Sequence, residues 1–305
     1  MILKETLVVL RDHGLLTDRT VRVTYLTPYF TVVELDDGSV GAAMSYYGPP
    51  DDLVASAPQA TDDDPLLLRW AFAAAPSSVT SPNRYRLLQL SIATAVVGAL
   101  SAASIRDGGD ETFSTTDTLP FDPFAEARRA VVVGFGGYMP LMAAAPGIQS
   151  LHVCDLGYQA RRAFMDEELD RLRAANPKKL ITISDGADII SRVGEADLLS
   201  ITGSALCNGS MERILDAASQ SARVIVQGQS ASLHPAALFA RGVWFVATTL
   251  KPAGLVQAAA TDPNGNSLRT YLEGGLNRLY FLPRNKANYP GEATVTSTRE
   301  ARYEC

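Results

Sequence analysis

Histidine, cysteine and clustered positive charge are all scarce in this chain. Three histidines and three cysteines stand among 305 residues. The cysteines, Cys154, Cys207 and Cys305, are too few for a disulfide framework and fit a reducing compartment. No Cys-x-x-Cys or His-x-x-x-His spacing occurs, which argues against a closed structural zinc site. No G-x-S-x-G elbow occurs either, so a hydrolase nucleophile has no motif behind it. Runs of Lys and Arg are missing and the net charge is −6. Nucleic acid is therefore not an expected partner, because neutralising phosphates needs gathered cations. Membrane contact is not expected. The stretch Leu87–Ile105 is free of charge but rich in Ala and Ser, and reads as a buried core helix. The stretch 130–154 is broken by glycines, Pro140 and Pro146. The N-terminal MILKETLVVLRDHGLL is interrupted by Lys4, Glu5, Arg11 and Asp12 and is no signal peptide. The expected location is cytoplasmic.

What is present is ordinary globular material, 47% hydrophobic and 20% charged, enough for one large or two modest domains. Residues 3–14 read as a helix, with His13 in a structural place at its end. Strands follow in VRVTYLTPYFTVVELDDGSVGAAMSYY, where Asp36-Asp37-Gly38-Ser39 makes a hairpin turn. Tyr25, Thr27, Tyr29, Tyr46 and Tyr47 cluster there, mostly as sheet packing. Helices are expected at Pro65–Ala75 and Tyr85–Ala103. Residues 1–110 thus form an α+β domain. RDGGDETFSTTDTLP is polar and turn-rich, and residues 111–128 read as a linker. From 129 to 283, short apolar runs alternate with helical stretches: Ala130–Val133, Ser150–Val153, Leu180–Ile183, Asp197–Ile201, Arg223–Val226 and Val243–Ala247. Continuous apolar strands separated by helices imply a parallel sheet covered on both faces. The expected fold class is α/β, a Rossmann-like doubly wound sheet with ligands at the carboxyl ends of its strands. Arg278–Leu282 adds an edge strand, and 284–305 is an irregular tail. Exposed strand edges and the apolar helix permit a homodimer.

The turn after the first parallel strand, VVVGFGGYMP, holds Gly134, Gly136 and Gly137, with Tyr138 directly behind them. Glycine lets backbone N–H groups approach a ligand, and Pro140 suits a first helical turn. Asp155 ends the second strand, where a carboxylate commonly receives ribose hydroxyls. Met139 stands where the third glycine of a dinucleotide fingerprint belongs, so the pattern is incomplete. In methyltransferase-like domains an acidic residue after the third strand often meets the adenine amino group, a place held by Asp185, although Asp-Gly is also common turn chemistry. These residues raise two readings of the turn, a structural strand-to-helix junction with no nucleotide and a site for an adenosine-type ligand, S-adenosylmethionine foremost.

A second loop, DLLSITGSALCNGS, gathers Thr202, Gly203, Ser204, Asn208, Gly209 and Ser210 at the end of the fourth strand. Such a loop can wrap an anionic or zwitterionic ligand, or satisfy its own backbone, and Ser210 could cap the next helix. A third glycine-polar loop, QGQSASLHP, follows the fifth strand. Ser204, Cys207, Asn208 and His234 are the catalytic candidates. Cys207 and His234, on rim loops, are the pair a soft divalent transition metal would accept. His152 and Cys154 share one face of a strand and read as packing.

Taken in order, VVVGFGGYMP, LSITGSALCNGSMERIL and VIVQGQSASLHPAALFARGV resemble the heavy-metal chelatase family of uncharacterised bacterial and archaeal proteins. The matching positions are Val133-Gly134-Phe135, Thr202-Gly203-Ser204 with Asn208-Gly209-Ser210, and Gly228-Gln229-Ser230 with Gly242-Val243. Gln229 stands where proline is frequent in that family, and Ser210 where threonine is frequent. VTYLTPYFTVVELDDGSVGAAM resembles the family's companion domain. The resemblance implies an enolase-N-terminal-like α+β domain, a Rossmann-like domain and a cleft between them. Two functions are expected in that cleft. The first is a small-molecule metabolic enzyme using S-adenosylmethionine, a transferase or cyclase of a biosynthetic kind. The alternative is a protein that chelates heavy metals, or handles their chelates, without catalysis.

Overall fold

A computed structural model describes residues 1–16, 19–45, 82–252, 254–262, 264–265, 268 and 278–284. The helix expected at Pro65–Ala75, Tyr46 and Tyr47, and the tail beyond 284 lie outside the described residues. Helix α1 (Ile2–Asp12) buries Ile2, Leu3, Leu7 and Leu10 along one stripe, the spacing of an amphipathic helix. Strands β1 (Val21–Leu26), β2 (Phe30–Leu35) and β3 (Val40–Met44) form an antiparallel meander in the order β1-β2-β3. Its β2–β3 turn places Gly38 at φ +80°, the conformation glycine adopts without strain. Helix α2 (Pro82–Leu100) is buried without a break from Leu87 to Ser101. A segment wetted on no side needs no polar face, which explains why no charge follows Arg86 in the helix. The short α3 (Ala102–Arg106) follows.

The second sheet has eight strands in the order β4-β11-β10-β9-β8-β5-β6-β7. They are β4 (Phe113–Thr116), β5 (Arg129–Val133), β6 (Ser150–Cys154), β7 (Leu180–Ser184), β8 (Leu198–Thr202), β9 (Arg223–Gln227), β10 (Val243–Thr249) and β11 (Arg278–Pro283). Strands β5 to β10 run parallel, while β11 and β4 pair antiparallel at one edge. Between them run α4 (Met139–Ala144), α5 (Arg162–Ala175), α6 (Ile189–Val193), α7 (Ser204–Cys207), α8 (Met211–Ala217) and α9 (Ala236–Phe239), and α10 (Leu255–Thr261) follows β10. Strand order reverses about β5, which pairs in parallel with β6 on one side and β8 on the other. This is the doubly wound arrangement, with its switch point between β5 and β8. Alternate side chains feed two cores: Val131, Val133, Ile201 and Val226 one face, Ala130, Val132, Val153 and Ile225 the other. One expectation fails at Phe113–Thr116. That polar stretch reads as an exposed loop, yet it pairs with β11. A short edge strand needs only one buried side chain, here Phe113, and therefore shows little apolar periodicity.

No described helix is long and apolar enough to cross a membrane. The two sheets are joined through α2. A Cβ at Gly41 of β3 would overlap the Ala95 carbonyl of α2, and one at Gly98 of α2 would lie 2.9 Å from the Ser232 carbonyl after β9. Glycine at both points lets backbone meet backbone. Substituting Gly41→Ala forces α2 off β3. Overpacking of this kind costs about 1–3 kcal/mol, so the denaturant midpoint should fall by a corresponding amount in a circular-dichroism titration. An unchanged midpoint would mean that α2 does not sit on β3 as closely as described.

Candidate metal centre

The two loops at the switch point are closed around themselves. In the glycine turn, Gly134, Gly136 and Gly137 have φ of +92°, +113° and +58°, which explains the residue type. Asp155 accepts the Phe135 N–H at 2.8 Å, the Gly157 N–H at 2.7 Å and an Arg161 N–H at 3.0 Å. Its carboxylate thus serves the protein's own backbone and one arginine. Gln227 Oε1 accepts the Tyr138 N–H at 3.0 Å, and a Cβ at Gly137 would overlap the Gln227 carboxamide. A Cβ at Gly134 would meet the Thr202 side chain. These glycines therefore answer close packing within the chain, while Gly136 faces open space. Tyr138 is buried against Phe124 and Phe245, and burial raises its hydroxyl well above the usual range. Asp185 accepts the Ala187 N–H at 3.0 Å and caps its own short turn.

The 202–210 loop behaves alike. Thr202 Oγ1 accepts the Ser204 hydroxyl at 3.1 Å. Asn208 Oδ1 accepts from the Ser210 hydroxyl at 2.7 Å and its N–H at 3.0 Å. Ser210 precedes α8, but its hydroxyl makes no cap bond to that helix. Gly203 N–H donates to the Gln227 carbonyl at 2.5 Å, and Gly203 lies so close to Ala231 that a Cβ would reach its nitrogen at 2.6 Å. Cys207 is fully buried, and burial pushes its thiol up to about 11. Cys154 is pushed up to about 11 by the same cause. Thiolates are the metal-binding and nucleophilic form, so neither cysteine is poised for those tasks. His152 holds Thr182 Oγ1 at 2.7 Å and Ser184 Oγ at 2.9 Å across β7.

His234 is the rim residue that finds other ligand atoms, and its partners are not Cys207. Its ring Nε2 lies 2.6 Å from Asp110 Oδ2, and Asp110 Oδ2 lies 3.4 Å from His13 Nδ1. One ligand atom from each of His13, Asp110 and His234 falls within 4.8 Å of the others. Each is placed by firm local structure. His13 caps the C-terminus of α1, whose Ile2 N–H donates to Glu212 at 2.6 Å and whose Glu5 pairs with Arg241. Asp110 follows Gly108 and Gly109, both in the left-handed region at +86° and +99°. Its other oxygen accepts from Thr112 N–H at 2.8 Å and Thr112 Oγ1 at 2.7 Å. The His234 N–H donates to Ser101 Oγ at 2.9 Å beyond the end of α2, and the Phe113 ring meets its imidazole edge-on at 5.0 Å.

Exposure is graded across the three. The His234 side chain is 0% exposed, Asp110 17% and His13 19%. The outer two line a cavity of about 470 Å³ that also takes in Asp12, Asp107 and Glu111. Burial alone would raise the Asp110 carboxyl, but the hydrogen bonds from Thr112 and His234 prevail and hold it well below the carboxylate range. Burial lowers the His234 imidazole against the pull of Asp110. An ionised carboxylate and a neutral imidazole are the ligating forms of both groups. His13, read from sequence as structural, and Asp110, which no motif marks, are the site residues that sequence reasoning missed. The available signal was rarity: two of only three histidines meet one carboxylate.

The comparisons bear on the same molecule. Residues 120–262 match a family model described as "DUF364: Putative heavy-metal chelation". A protein of unknown function from that family in Pyrococcus horikoshii has a similar structure, with TM-score 0.56 at 16% identity over 93% of this chain and 100% of that one. Another from Desulfitobacterium hafniense DCB-2 has TM-score 0.56 at 15% identity over 92% and 98%. No curated protein matches. At such identities the two structures establish the fold. His234 lies in the matched segment, and His13 and Asp110 lie outside it.

The buried thiols yield a direct check. At pH 7 to 8, where both are protonated, Cys154 and Cys207 should stay unmodified by maleimide in the folded protein and react after denaturation, as read by peptide mass. Rapid labelling of Cys207 in the native state would return it to the list of candidate ligands. Over residues 120–262 the chain is similar to the DUF364 family, the family of both structural neighbours.

Proposed function

We propose that this protein binds a divalent transition-metal ion as cargo at His13, Asp110 and His234. The observation that carries the reading is the convergence of two imidazoles and one ionised carboxylate, from three distant parts of the chain, at the wall of an acidic cavity. The donor set fits such an ion. Two imidazole nitrogens and a carboxylate oxygen suit Zn(II), Ni(II), Co(II) or Cu(II) better than Mg(II) or Ca(II), which favour all-oxygen shells. Three protein ligands leave at least one position open, and the exposed edge of the cluster faces the cavity. That is the arrangement of a site that receives and hands on an ion.

His234 supplies the fixed side of the site. Its Nδ1 lies 3.4 Å from the Ala236 N–H, which assigns the ring hydrogen to Nε2 and the bond toward Asp110. To ligate through Nε2 as a neutral imidazole, His234 would carry its ring hydrogen on Nδ1 instead, the other tautomer. His13 can present Nδ1 while its Nε2 faces Glu111 Oε1 at 3.7 Å, an outer carboxylate of the kind that orients ligating histidines. Asp12, Asp107 and Glu111 add negative potential at the mouth, which concentrates cations. The rival reading, an adenosine-type cofactor such as S-adenosylmethionine, has no comparable support: the Asp155 carboxylate and the Gln227 amide that face the glycine turn are engaged by the chain itself.

The test is calorimetric titration of metal-free protein with Zn(II), Ni(II) and Cu(II). Saturable binding near one ion per chain is expected. His13→Ala and Asp110→Asn, both at the accessible edge, should weaken it tenfold or more, and Cys207→Ser should leave it unchanged. Binding indifferent to His13 and Asp110, or no saturable binding, would overturn the assignment.

A further inference from the structure

Strand β7 ends the large sheet, and only β6 pairs with it. The Leu180 N–H donates to the Gln149 carbonyl at 3.0 Å, and the Ser184 carbonyl accepts the Asp155 N–H at 3.1 Å. Backbone direction alternates along a strand, so Leu180, Thr182 and Ser184 face β6 while Ile181 and Ile183 face away. Among the described residues, no group accepts either of those two outward N–H groups. The Ile181 carbonyl receives Arg173 Nε at 2.9 Å, and a carbonyl has a second lone pair to offer. The opposite edge of the sheet is treated differently. There the Thr115 N–H of β4 donates to the Gly108 carbonyl at 3.1 Å, and Gly109 bridges to Ser114, so a turn of the same chain covers it. Native sheets blunt a bare edge with charge, proline or a bulge. Strand β7 reads LITIS, with no charge and no proline, and it pairs with β6 without a bulge. Leu180 at its start is 65% exposed, more than any other large apolar side chain among the described residues.

We propose that β7 is an interface, where a second copy of this chain adds its own β7 antiparallel and continues the sheet. The strand is its own complement. With a two-fold axis at Thr182, Ile181 of one copy stands opposite Ile183 of the other. Both face outward, so each such pair exchanges two N–H···O=C bonds, and the axis makes the pair twice. The side chains agree with this register. Thr182 meets Thr182, and Ile181 meets Ile183 on the face that packs against Leu169 and Leu172. Leu180 comes opposite Ser184 and loses its exposure. Threonine and β-branched apolar pairs of this kind stabilise neighbouring strands. Just outside the strand, Lys179 comes opposite Asp185, so opposite charges meet at both ends and no like charges face each other along it. Lys179 Nζ is held by the Ala143 and Ala145 carbonyls, which fixes its charge at that end. This match of bonding, side chains and charge with itself selects a second copy over an unrelated strand.

The test is light scattering on the full chain, followed by cross-linking. The mass of two chains is expected at high concentration, falling toward one on dilution. Ile183→Pro removes an outward N–H, at the kind of edge position where proline costs its own sheet no bond. Leu180→Asp, at an exposed position, places a charge against Ser184 and beside Asp185 of the second copy. Both variants should show the mass of one chain where the parent shows two, with the parent's circular-dichroism spectrum. Thr182→Cys reads the register. Residues on the axis form a non-hydrogen-bonded pair with Cα atoms about 4.5 Å apart, within the range a disulfide spans. Mild oxidation should therefore give a covalent dimer on a non-reducing gel, at least tenfold faster than in the parent. Leu180→Cys, whose mate is Ser184, should cross-link no faster than the parent. A one-chain mass at every concentration would overturn the proposal. So would a two-chain mass that survives both Leu180→Asp and Ile183→Pro, or cross-linking at position 182 no faster than at 180.

Discussion

The hydrogen bond between His234 and Asp110 joins two loops that the sequence keeps far apart, and the candidate centre depends on it. At 2.6 Å, with the imidazole fully buried, it is a charge-assisted contact in a poorly screened place. Removing Asp110 would leave the fully buried imidazole without its Nε2 partner, a larger cost than the bond itself contributes. Its neighbours are arranged to keep it. Thr112 saturates the second Asp110 oxygen, Ser101 holds the His234 backbone, and Phe113 covers the ring. The first strand of the large sheet in chain order, β4, is thereby tied to the loop after β9.

The same contact explains why the site lies away from the switch point. In a doubly wound sheet the crevice between β5 and β8 is the habitual ligand place. Here Gln227 reaches over from β9 to bind the Tyr138 N–H, and Asp155 binds the Phe135 N–H. Both groups stiffen the turn that a nucleoside would otherwise use. The N-terminal helices and the small sheet pack beside the loop after β9 instead, through Gly98 and Ser230. The cavity opens where α1 and the turn before β4 come together, and it is lined by carboxylates.

Most of the fold was legible in the sequence, because its causes are local. Short β-branched runs such as Val131–Val133 read as buried strands between helices, and the charge-free 87–100 stretch reads as a core helix. Strand β4 was not legible, since a four-residue edge strand with one buried side chain has no period to detect. The glycine turn was legible as a turn but not in its use: positive φ shows why glycine is there, and only the coordinates show that Gly137 backs onto Gln227. The metal candidates were half legible. His234 stood out as a rare residue on a rim loop, and Cys207 was paired with it by nearness in the fold. Both are fully buried; what separates them is that His234 meets Asp110, a contact across the fold that has no local signature. His13 looks like an ordinary helix-end residue and Asp110 like turn chemistry until three dimensions bring them to one point.

X-ray absorption at the metal edge of the Zn(II)-loaded protein tests the central claim most directly. The account predicts a shell of nitrogen and oxygen scatterers at about 2.0–2.1 Å, with the outer-shell pattern of two imidazoles and no sulfur. In His13→Ala the imidazole signal should fall by half. A sulfur shell at about 2.3 Å, or a spectrum indifferent to His13, would contradict the assignment of the ion to His13, Asp110 and His234.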